Sequence, residues 1–213
     1  MEVSIYSKTD IEKIIQSLPK DTVEHMHRVG ILVSMIALKL YDLNFYTKNF
    51  NKDEYKYFGE AATYHDIGKA WIPKNILIKP GKLTKEEAIN IYKHPEFARR
   101  LFHQINDGSI SGMPKHLTKL AFNSAVFHHE WWNGKGYPYR ISLDNIPLIA
   151  RITSICDAYD AITNPRSYRK ANTHLYACHE LESNAGTQFD PSLVQIFLDS
   201  QQELSVIKGT APK

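Results

Sequence analysis

The chain has 213 residues, of which 43% are hydrophobic and 23% are charged, and its formal net charge is +3. This length supplies one well-buried core and is too short to argue for two domains. The mild positive charge favours small anionic ligands and excludes the wrapping of a nucleic-acid polymer. The two cysteines, Cys156 and Cys178, provide neither a disulfide framework nor a thiolate zinc site.

The sequence contains no signal that places the chain in or across a membrane. No apolar run approaches the ~20 residues that a membrane-spanning helix requires. The first ten residues, MEVSIYSKTD, do not combine a basic segment with an apolar one, as a secretory signal peptide would. We therefore expect a cytoplasmic protein without membrane association.

Apolar residues recur at helical spacing along the whole chain, whereas alternating strand patterns are almost absent. The sequence therefore predicts an all-α fold in a single helical bundle. The first long helix is predicted from Asp21 to Tyr41, with His25 on its apolar face. Residues 1–20 are predicted to form a helical extension before it, and residues 204–213 to form a disordered tail.

A second helix is predicted to place His65 on its apolar side and to end near Gly68. The segment WIPKNILIKPGKLT follows, and its two prolines and one glycine predict a long irregular connection. Thr84 and Glu87 have the spacing of a capping box, which indicates the start of the next helix.

The second half of the chain repeats this pattern of helices and turn-rich connections. A helix after Pro114 is predicted to direct His128 inward, and the segment WWNGKGYPYRISLDN reads as a long loop. Pro147 suits the first position of the following helix. Asp190, directly before a proline, is predicted to cap the last helix.

Several ionisable residues lie at helix ends or on apolar stripes, where burial is expected. A buried carboxylate or imidazole needs a partner, and a group of them is more economically explained by divalent cations than by chance. Imidazole and carboxylate ligands without thiolate suit iron, manganese, zinc, nickel or cobalt, and one aspartate can bridge two ions. The candidate ligands are His25, His65, Asp66, His94, His128, His129 and Asp157.

Each candidate also has a simpler explanation. His65 taken alone fits a hydrogen-bonded core histidine, and Asp157 can pair with Arg151 or Arg169. His128 and the residue after it fit one core and one surface position. Asp21 has the position and chemistry of a helix N-cap. No single residue decides between these interpretations.

The order of the motifs is more specific than any one of them. HMHRV, HDIGK, ILIKPGKLT, HPE, HHE, GYP, CDAYDAI, RSYR and GTQFDP follow one another along the chain. In this order they resemble the HD-GYP family of HD-superfamily phosphodiesterases over roughly residues 21–200. The resemblance implies one HD-GYP phosphodiesterase domain over 21–203, with a long GYP loop. It also implies hydrolysis of a cyclic dinucleotide, typically cyclic di-GMP, to linear pGpG or GMP.

The resemblance also implies a set of metal ligands, with two or three divalent ions, iron or manganese foremost. The first ion would be held by His25, His65, Asp66 and Asp157. Asp66 would bridge to a second ion, which His94 and His128 complete. A third ion, used by some family members, would take His129 together with a glutamate one turn before the first histidine; Asp21 stands at that place here.

The same resemblance assigns residues to the substrate. Lys69 matches a phosphate-contacting lysine, so Asp66 and Lys69 would carry catalysis, the lysine by neutralising charge on the phosphoryl group. Arg166 and Arg169 match basic residues for the second phosphate of the substrate. Tyr137 is expected to stack on a guanine or shape the pocket, or else to pack on a neighbouring tryptophan.

The sequence departs from the family in the loop, where Asn133 replaces a common acidic residue and Tyr139 with Arg140 replace Asp-Gly. Family members normally carry a sensor or receiver domain, so a GGDEF-type, sensor or receiver protein is a candidate partner. Three further functions remain open: hydrolysis of cyclic GMP-AMP, hydrolysis of mononucleotides by another kind of HD enzyme, and a non-catalytic signalling module.

Overall fold

A computed structural model describes residues 9–44, 52–165 and 170–200. Over these residues the fold is all-α, as the sequence predicts, with only an isolated bridge between Ala185 and Phe189 in extended geometry. The α-helices are α1 (Asp10–Ser17), α2 (Lys20–Asp42), α3 (Phe58–Ala62), α4 (Lys74–Leu77), α5 (Lys85–Ile91), α6 (His94–Asn106), α7 (Lys115–Phe127), α8 (Leu148–Thr163), α9 (His174–Ser183) and α10 (Pro191–Asp199). Short 3-10 helices span Lys52–Tyr57, Ile67–Trp71 and Leu143–Asn145.

Helix α2 is at the centre of the bundle, where it packs against both α3 and α8. Its buried face carries Val29, Leu32, Val33 and Leu40, which are all at most 1% exposed. Burying this stripe removes apolar surface from water and fixes the rotation of the helix about its axis. His25, two turns before Val33 on the same face, is therefore directed into the protein.

Three predicted boundaries are corrected by the structure. Helix α2 begins at Lys20, and Pro19 holds its N-cap position without a side-chain hydrogen bond, so the N-cap interpretation of Asp21 is wrong. The helix that precedes His65 ends at Ala62 rather than near Gly68, because the chain turns into the 3-10 helix that follows. The connection after it is not wholly irregular, since it contains α4.

Other boundary signals are confirmed. Thr84 and Glu87 form both hydrogen bonds of a capping box at the start of α5. Asp190 accepts hydrogen bonds from Ser192 and Leu193 as the N-cap of α10. The prediction that Pro147 is the first residue of a helix is wrong by one position, because Pro147 is the N-cap of α8 and Leu148 is its first residue.

A buried ion pair ties α8 to two neighbouring segments. Arg151 donates to Asp190 at 2.7 Å and to Asp144 at 2.9 Å, and its guanidinium lies 5.5 Å from the Trp132 ring centroid. Arg151 thereby links α8, the loop after α7 and the start of α10. The suggested pairing of Asp157 with Arg151 is wrong, because Arg151 is engaged here.

No helix among the described residues has the length and apolar composition needed to cross a bilayer. The predicted tail at 204–213 lies outside the described residues, as do Arg166 and Arg169.

Candidate metal centre

Six of the predicted ligands converge on one buried cluster, although they come from five parts of the chain. His25 lies on α2 and Asp157 on α8, His94 begins α6, and His128 is the C-cap of α7. His65 and Asp66 lie in the turn between α3 and the following 3-10 helix. All except Asp157 are buried.

Gly68 allows this turn to lie against the start of α6. A Cβ atom at Gly68 would stand 2.0 Å from the backbone oxygen of His94 and 2.8 Å from the backbone nitrogen of Ala98. Backbone atoms cannot move aside as a flexible side chain would, so only glycine fits. The close contact brings His65 and Asp66 next to His94.

Asp66 is at the centre of the cluster, with one oxygen facing each half. Its Oδ1 atom is 3.3 Å from Nε2 of His94 and 3.9 Å from Nε2 of His128. Its Oδ2 atom is 3.6 Å from Nε2 of His25 and 3.5 Å from Nε2 of His65. This geometry allows one carboxylate to bridge two cations.

His94 and His128 form a pair whose rings each direct a lone pair toward the other. Nδ1 of His94 lies 2.8 Å from the Ile91 carbonyl and Nδ1 of His128 lies 2.9 Å from the Ser124 carbonyl. A carbonyl only accepts, so each Nδ1 carries the ring proton and each Nε2 presents a lone pair. Burial lowers the pKa of His94 to about 3 and that of His128 to about 4, so both rings are neutral.

The two Nε2 atoms nevertheless face each other at 3.4 Å. Oδ1 of Asp66, the third atom in this half, is also an acceptor. Three acceptors directed at one point repel one another, and a divalent cation satisfies all three. The residues therefore fit a metal ion on the arrangement of their own donor atoms.

The other half of the cluster is formed by His25, His65 and Asp157. Nε2 of His25 lies 3.1 Å from Oδ1 of Asp157 and 3.3 Å from Nε2 of His65. Burial acts to lower the pKa of His25, but hydrogen bonds to Asp157 and Asp160 outweigh it and raise the pKa to about 9. A metal ion on this side therefore replaces a proton on Nε2 of His25.

The two carboxylates of the cluster remain ionised despite their surroundings. Burial acts to raise the pKa of Asp66, but the charge of Lys69 contributes most to holding it well below the usual range. Burial likewise acts on Asp157, and its hydrogen bond with His25 holds that pKa well below the usual range. Nζ of Lys69 lies 2.5 Å from Oδ2 of Asp66, so the predicted catalytic lysine reaches the cluster.

His129 joins the cluster on the His94 side, and three histidines there can offer ligand atoms together: His94, His128 and His129. The His129 ring stacks on Tyr137, with centroids 4.7 Å apart and planes 18° from parallel. The Tyr137 ring also packs against the Tyr92 ring, with centroids 5.1 Å apart. The expected packing of Tyr137 on a neighbouring tryptophan is not what these ring contacts show.

The loop that carries Tyr137 is held by Gly136 and Glu130. A Cβ atom at Gly136 would lie 2.3 Å from the Trp131 backbone nitrogen and 2.5 Å from the His129 carbonyl oxygen. Oε1 of Glu130 accepts a hydrogen bond from the Tyr139 backbone at 2.6 Å, and burial raises the pKa of this buried carboxyl. The sequence prediction missed the role of Glu130, although the residue stands in the HHE motif.

Asp160 is a second residue that the sequence prediction missed. Its carboxylate contacts His25 and Arg28, and the residue is only 1% exposed. The signal was available, because Asp160 follows Asp157 by three residues and so shares its helix face.

Asp21 is not brought into the cluster. It is exposed in the first turn of α2, and none of the donor groups found among the described residues includes it. It does line the same cavity as His25, one helical turn away.

That cavity has a volume of about 550 Å³ and opens next to the cluster. Its lining includes the polar residues His25, Arg28 and Lys69 and the apolar residues Ile78 and Leu83 from the ILIKPGKLT segment. A lining with both charged and apolar side chains suits a ligand that has both phosphate groups and flat bases.

Known proteins resemble this chain over most of its length. Residues 11–193 match the family model described as HD domain. A 3'3'-cGAMP-specific phosphodiesterase 2 from Vibrio cholerae is 32% identical over 95% of this chain and 36% of its own length. A cyclic di-GMP phosphodiesterase response regulator from Xanthomonas campestris is 34% identical over 75% of this chain and 40% of its own. The chain thus spans well under half the length of these two curated relatives.

A solved structure supports the fold. An HDG"Y"P protein from Bdellovibrio bacteriovorus superposes with a TM-score of 0.57 at 17% identity, over 86% of this chain and 53% of that one. At this identity the likeness concerns the arrangement of helices alone.

Proposed function

The chain belongs to the HD domain family, and to its HD-GYP type, and on this premise we propose that it is a metal-dependent phosphodiesterase that hydrolyses cyclic di-GMP to linear pGpG or GMP. The observation that carries the proposal is the facing pair of Nε2 lone pairs on His94 and His128, 3.4 Å apart beside the Asp66 carboxylate. A divalent cation would satisfy all three acceptors, and histidine with carboxylate is a ligand set used for hydrolytic metals.

We propose two ions. His25, His65, Asp66 and Asp157 hold the first, and Asp66, His94 and His128 hold the second. His129, whose donor atom lies close to those of His94 and His128, would be available to the second ion or, together with Asp21, to a third. The resemblance to the HD-GYP family favours iron or manganese, and the set of imidazole and carboxylate ligands also suits zinc, nickel and cobalt.

When bound, the ions would supply a water of lowered pKa and would withdraw charge from the scissile phosphoryl group. The residues of the chain do the remaining work. Asp66 holds both halves of the cluster at a fixed spacing. Lys69 lies beside Oδ2 of Asp66, within reach of a phosphoryl oxygen in the cavity, and neutralises charge that develops there.

The substrate would be held by groups on both sides of the cluster. Lys69 and the cavity face one phosphate and one base. Tyr137, with Tyr92 beside it, offers an aromatic surface on which the other base stacks. Arg166 and Arg169, assigned from their RSYR motif, bind the second phosphate.

Cyclic GMP-AMP is the second candidate substrate. The 32% identical relative from Vibrio cholerae, named for this dinucleotide, supports it. We further propose that a GGDEF-type, sensor or receiver protein regulates the activity, in line with the relative that is named a response regulator.

The test is metal analysis of protein purified without oxygen, followed by chromatography of its products. Cyclic di-GMP, cyclic GMP-AMP and a guanine mononucleotide serve as substrates with each metal. We expect linear pGpG or GMP from cyclic di-GMP. His94→Ala should lose this activity, whereas His103→Ala, an exposed histidine on the same helix, should keep it. Hydrolysis of the mononucleotide alone would refute the proposal, as would metal-loaded protein that hydrolyses none of the three.

A further inference from the structure

Asp160 lies directly behind His25, outside the set of proposed metal ligands. Its Oδ2 atom is 2.8 Å from Nδ1 of His25, on the side of the ring that faces away from the cluster. Arg28 donates to the same carboxylate from Nε at 2.9 Å and from Nη2 at 3.0 Å. Asn164 adds a hydrogen bond to Oδ1 at 2.7 Å. Both carboxylate oxygens are therefore fixed.

This contact decides which nitrogen of His25 faces the cluster with a lone pair. A carboxylate only accepts, so Nδ1 of His25 must carry the proton and Nε2 is left for a cation. In His65, His94 and His128 the same purpose is served by a backbone carbonyl, at 2.8 to 2.9 Å from Nδ1. His25 differs from these three because its partner is a charged side chain.

The charge of Asp160 would be costly to bury alone, because the side chain is 1% exposed. The two parallel bonds from Arg28 offset this cost and also define the plane of the carboxylate. A negative charge held on Nδ1–H makes Nε2 of His25 a stronger electron donor. Arg28 and Asp160 thus act on the metal through His25 without touching it.

We propose that Asp160 is a positioning residue that orients His25 and strengthens its bond to the first ion, and that Arg28 holds Asp160 in place for this purpose. The inference rests on the metal centre within the proposed function, and it requires nothing about the substrate. It concerns one ion only. The second ion is held by His94 and His128, whose rings are oriented by the backbone.

The experiment measures cobalt binding to the full chain. Metal-free protein is titrated with Co²⁺ against a competing chelator, and the visible absorption of bound cobalt reports the ligand environment. In Asp160→Asn the side chain still accepts a hydrogen bond but has no charge. We expect the affinity for one of the two ions to fall about 10- to 100-fold while the other stays near wild type. Asp160→Ala should lose more.

Asp190→Asn is the matched control. Asp190 is also a buried carboxylate paired with an arginine, at 2.7 Å from Arg151, but it lies away from the cluster. We expect it to lower the melting temperature without a selective loss of one ion. Arg28→Lys, which keeps the charge and loses the two parallel bonds, should produce a smaller loss at the same ion.

Unchanged cobalt affinity and absorption in folded Asp160→Asn would overturn the proposal. An equal loss of affinity for both ions, together with a fall in melting temperature like that expected for Asp190→Asn, would also overturn it, because a purely structural role has that result. If Asp160→Asn does not fold, the same cobalt titration of Arg28→Lys distinguishes a selective loss at one ion from no loss or an equal loss at both. Because no substrate is used, a protein that binds two ions and hydrolyses no cyclic dinucleotide would refute the proposed function and leave this inference standing.

Discussion

Lys69 donates a hydrogen bond to Oδ2 of Asp66, the same oxygen that faces His25 and His65. The lysine therefore sits at the edge of the cluster, between the carboxylate and the cavity. Asp66 and Lys69 are in contact, but we propose that Asp66 binds metal and that Lys69 acts on the phosphoryl group. Variants of each residue can distinguish these two roles.

Asp66→Ala should abolish phosphodiesterase activity and lower the metal content below one ion per chain. Removal of the bridging carboxylate leaves the two ions without their shared anion, and Asp157 is then the one carboxylate left among the proposed ligands of the two ions. Metal per chain and turnover are the measurements. Asp107→Ala, which changes an exposed aspartate at the end of α6, should resemble wild type. Full metal and activity in Asp66→Ala would exclude a dinuclear centre.

Lys69→Ala should lower turnover by about 100- to 1,000-fold while metal content stays near wild type, because Lys69 acts on the phosphoryl group. Lys74→Ala, at an exposed lysine on α4, is the control. A loss of metal equal to that in Asp66→Ala would mean that Lys69 holds the cluster together and is not a catalytic group.

Asp21→Asn should leave two ions per chain and a melting temperature within a few degrees of wild type. Asp21 neither caps α2 nor belongs to a donor group among the described residues. Metal analysis under identical anaerobic loading decides this. The loss of one equivalent in Asp21→Asn, restored in Asp21→Glu, would instead establish a third ion.

Tyr92→Ala should raise the KM for cyclic di-GMP about 5- to 150-fold with little change in kcat, because base stacking on an aromatic ring contributes that much to binding. Tyr92 is 56% exposed and contacts Tyr137, so its outer face is open to a ligand. Tyr92→Phe should keep the wild-type KM. Tyr176→Ala removes a tyrosine on α9 that is 48% exposed and supplies the control. Equal KM values in Tyr92→Ala and Tyr176→Ala would remove Tyr92 from the substrate site.

Acid should destabilise the metal-free protein through its buried histidines. Burial lowers the pKa of His94 to about 3 and that of His128 to about 4, from an ordinary 6.5. Below pH 6.5 the unfolded chain binds protons there that the folded chain does not, so stability falls as the pH drops toward 4. The loss is about 1 kcal/mol per histidine per pH unit.

His25 acts in the opposite direction, because its pKa is raised to about 9. Its contribution is complete below pH 6.5 and is lost as the pH rises toward 9. Urea unfolding of chelator-treated protein at about pH 5, 6.5 and 9 measures both effects. The urea concentration at the unfolding midpoint should be highest near pH 6.5. A midpoint that rises steadily as the pH falls would contradict the assignment of neutral His94 and His128.

The sequence alone predicted the helical class and several helix starts, because these depend on local chemistry. The capping box of Thr84 and the cap of Asp190 need only neighbours within three residues, and both are present in the structure. The inward direction of His25 and His128 was also predictable, since an apolar stripe at helical spacing has one way to be buried.

Only the tertiary structure decided how these residues meet. The helix before His65 stops at Ala62 because the chain turns to lie against α6, and no local signal encodes that contact. The spacing between His94 and His128 depends on the packing of α6 on α7. Asp160 behind His25 joins α8 to α2 across 135 residues. Residue types and helical periods are local properties that a sequence displays, whereas the distances that make a metal centre are set by helices packed from distant parts of the chain.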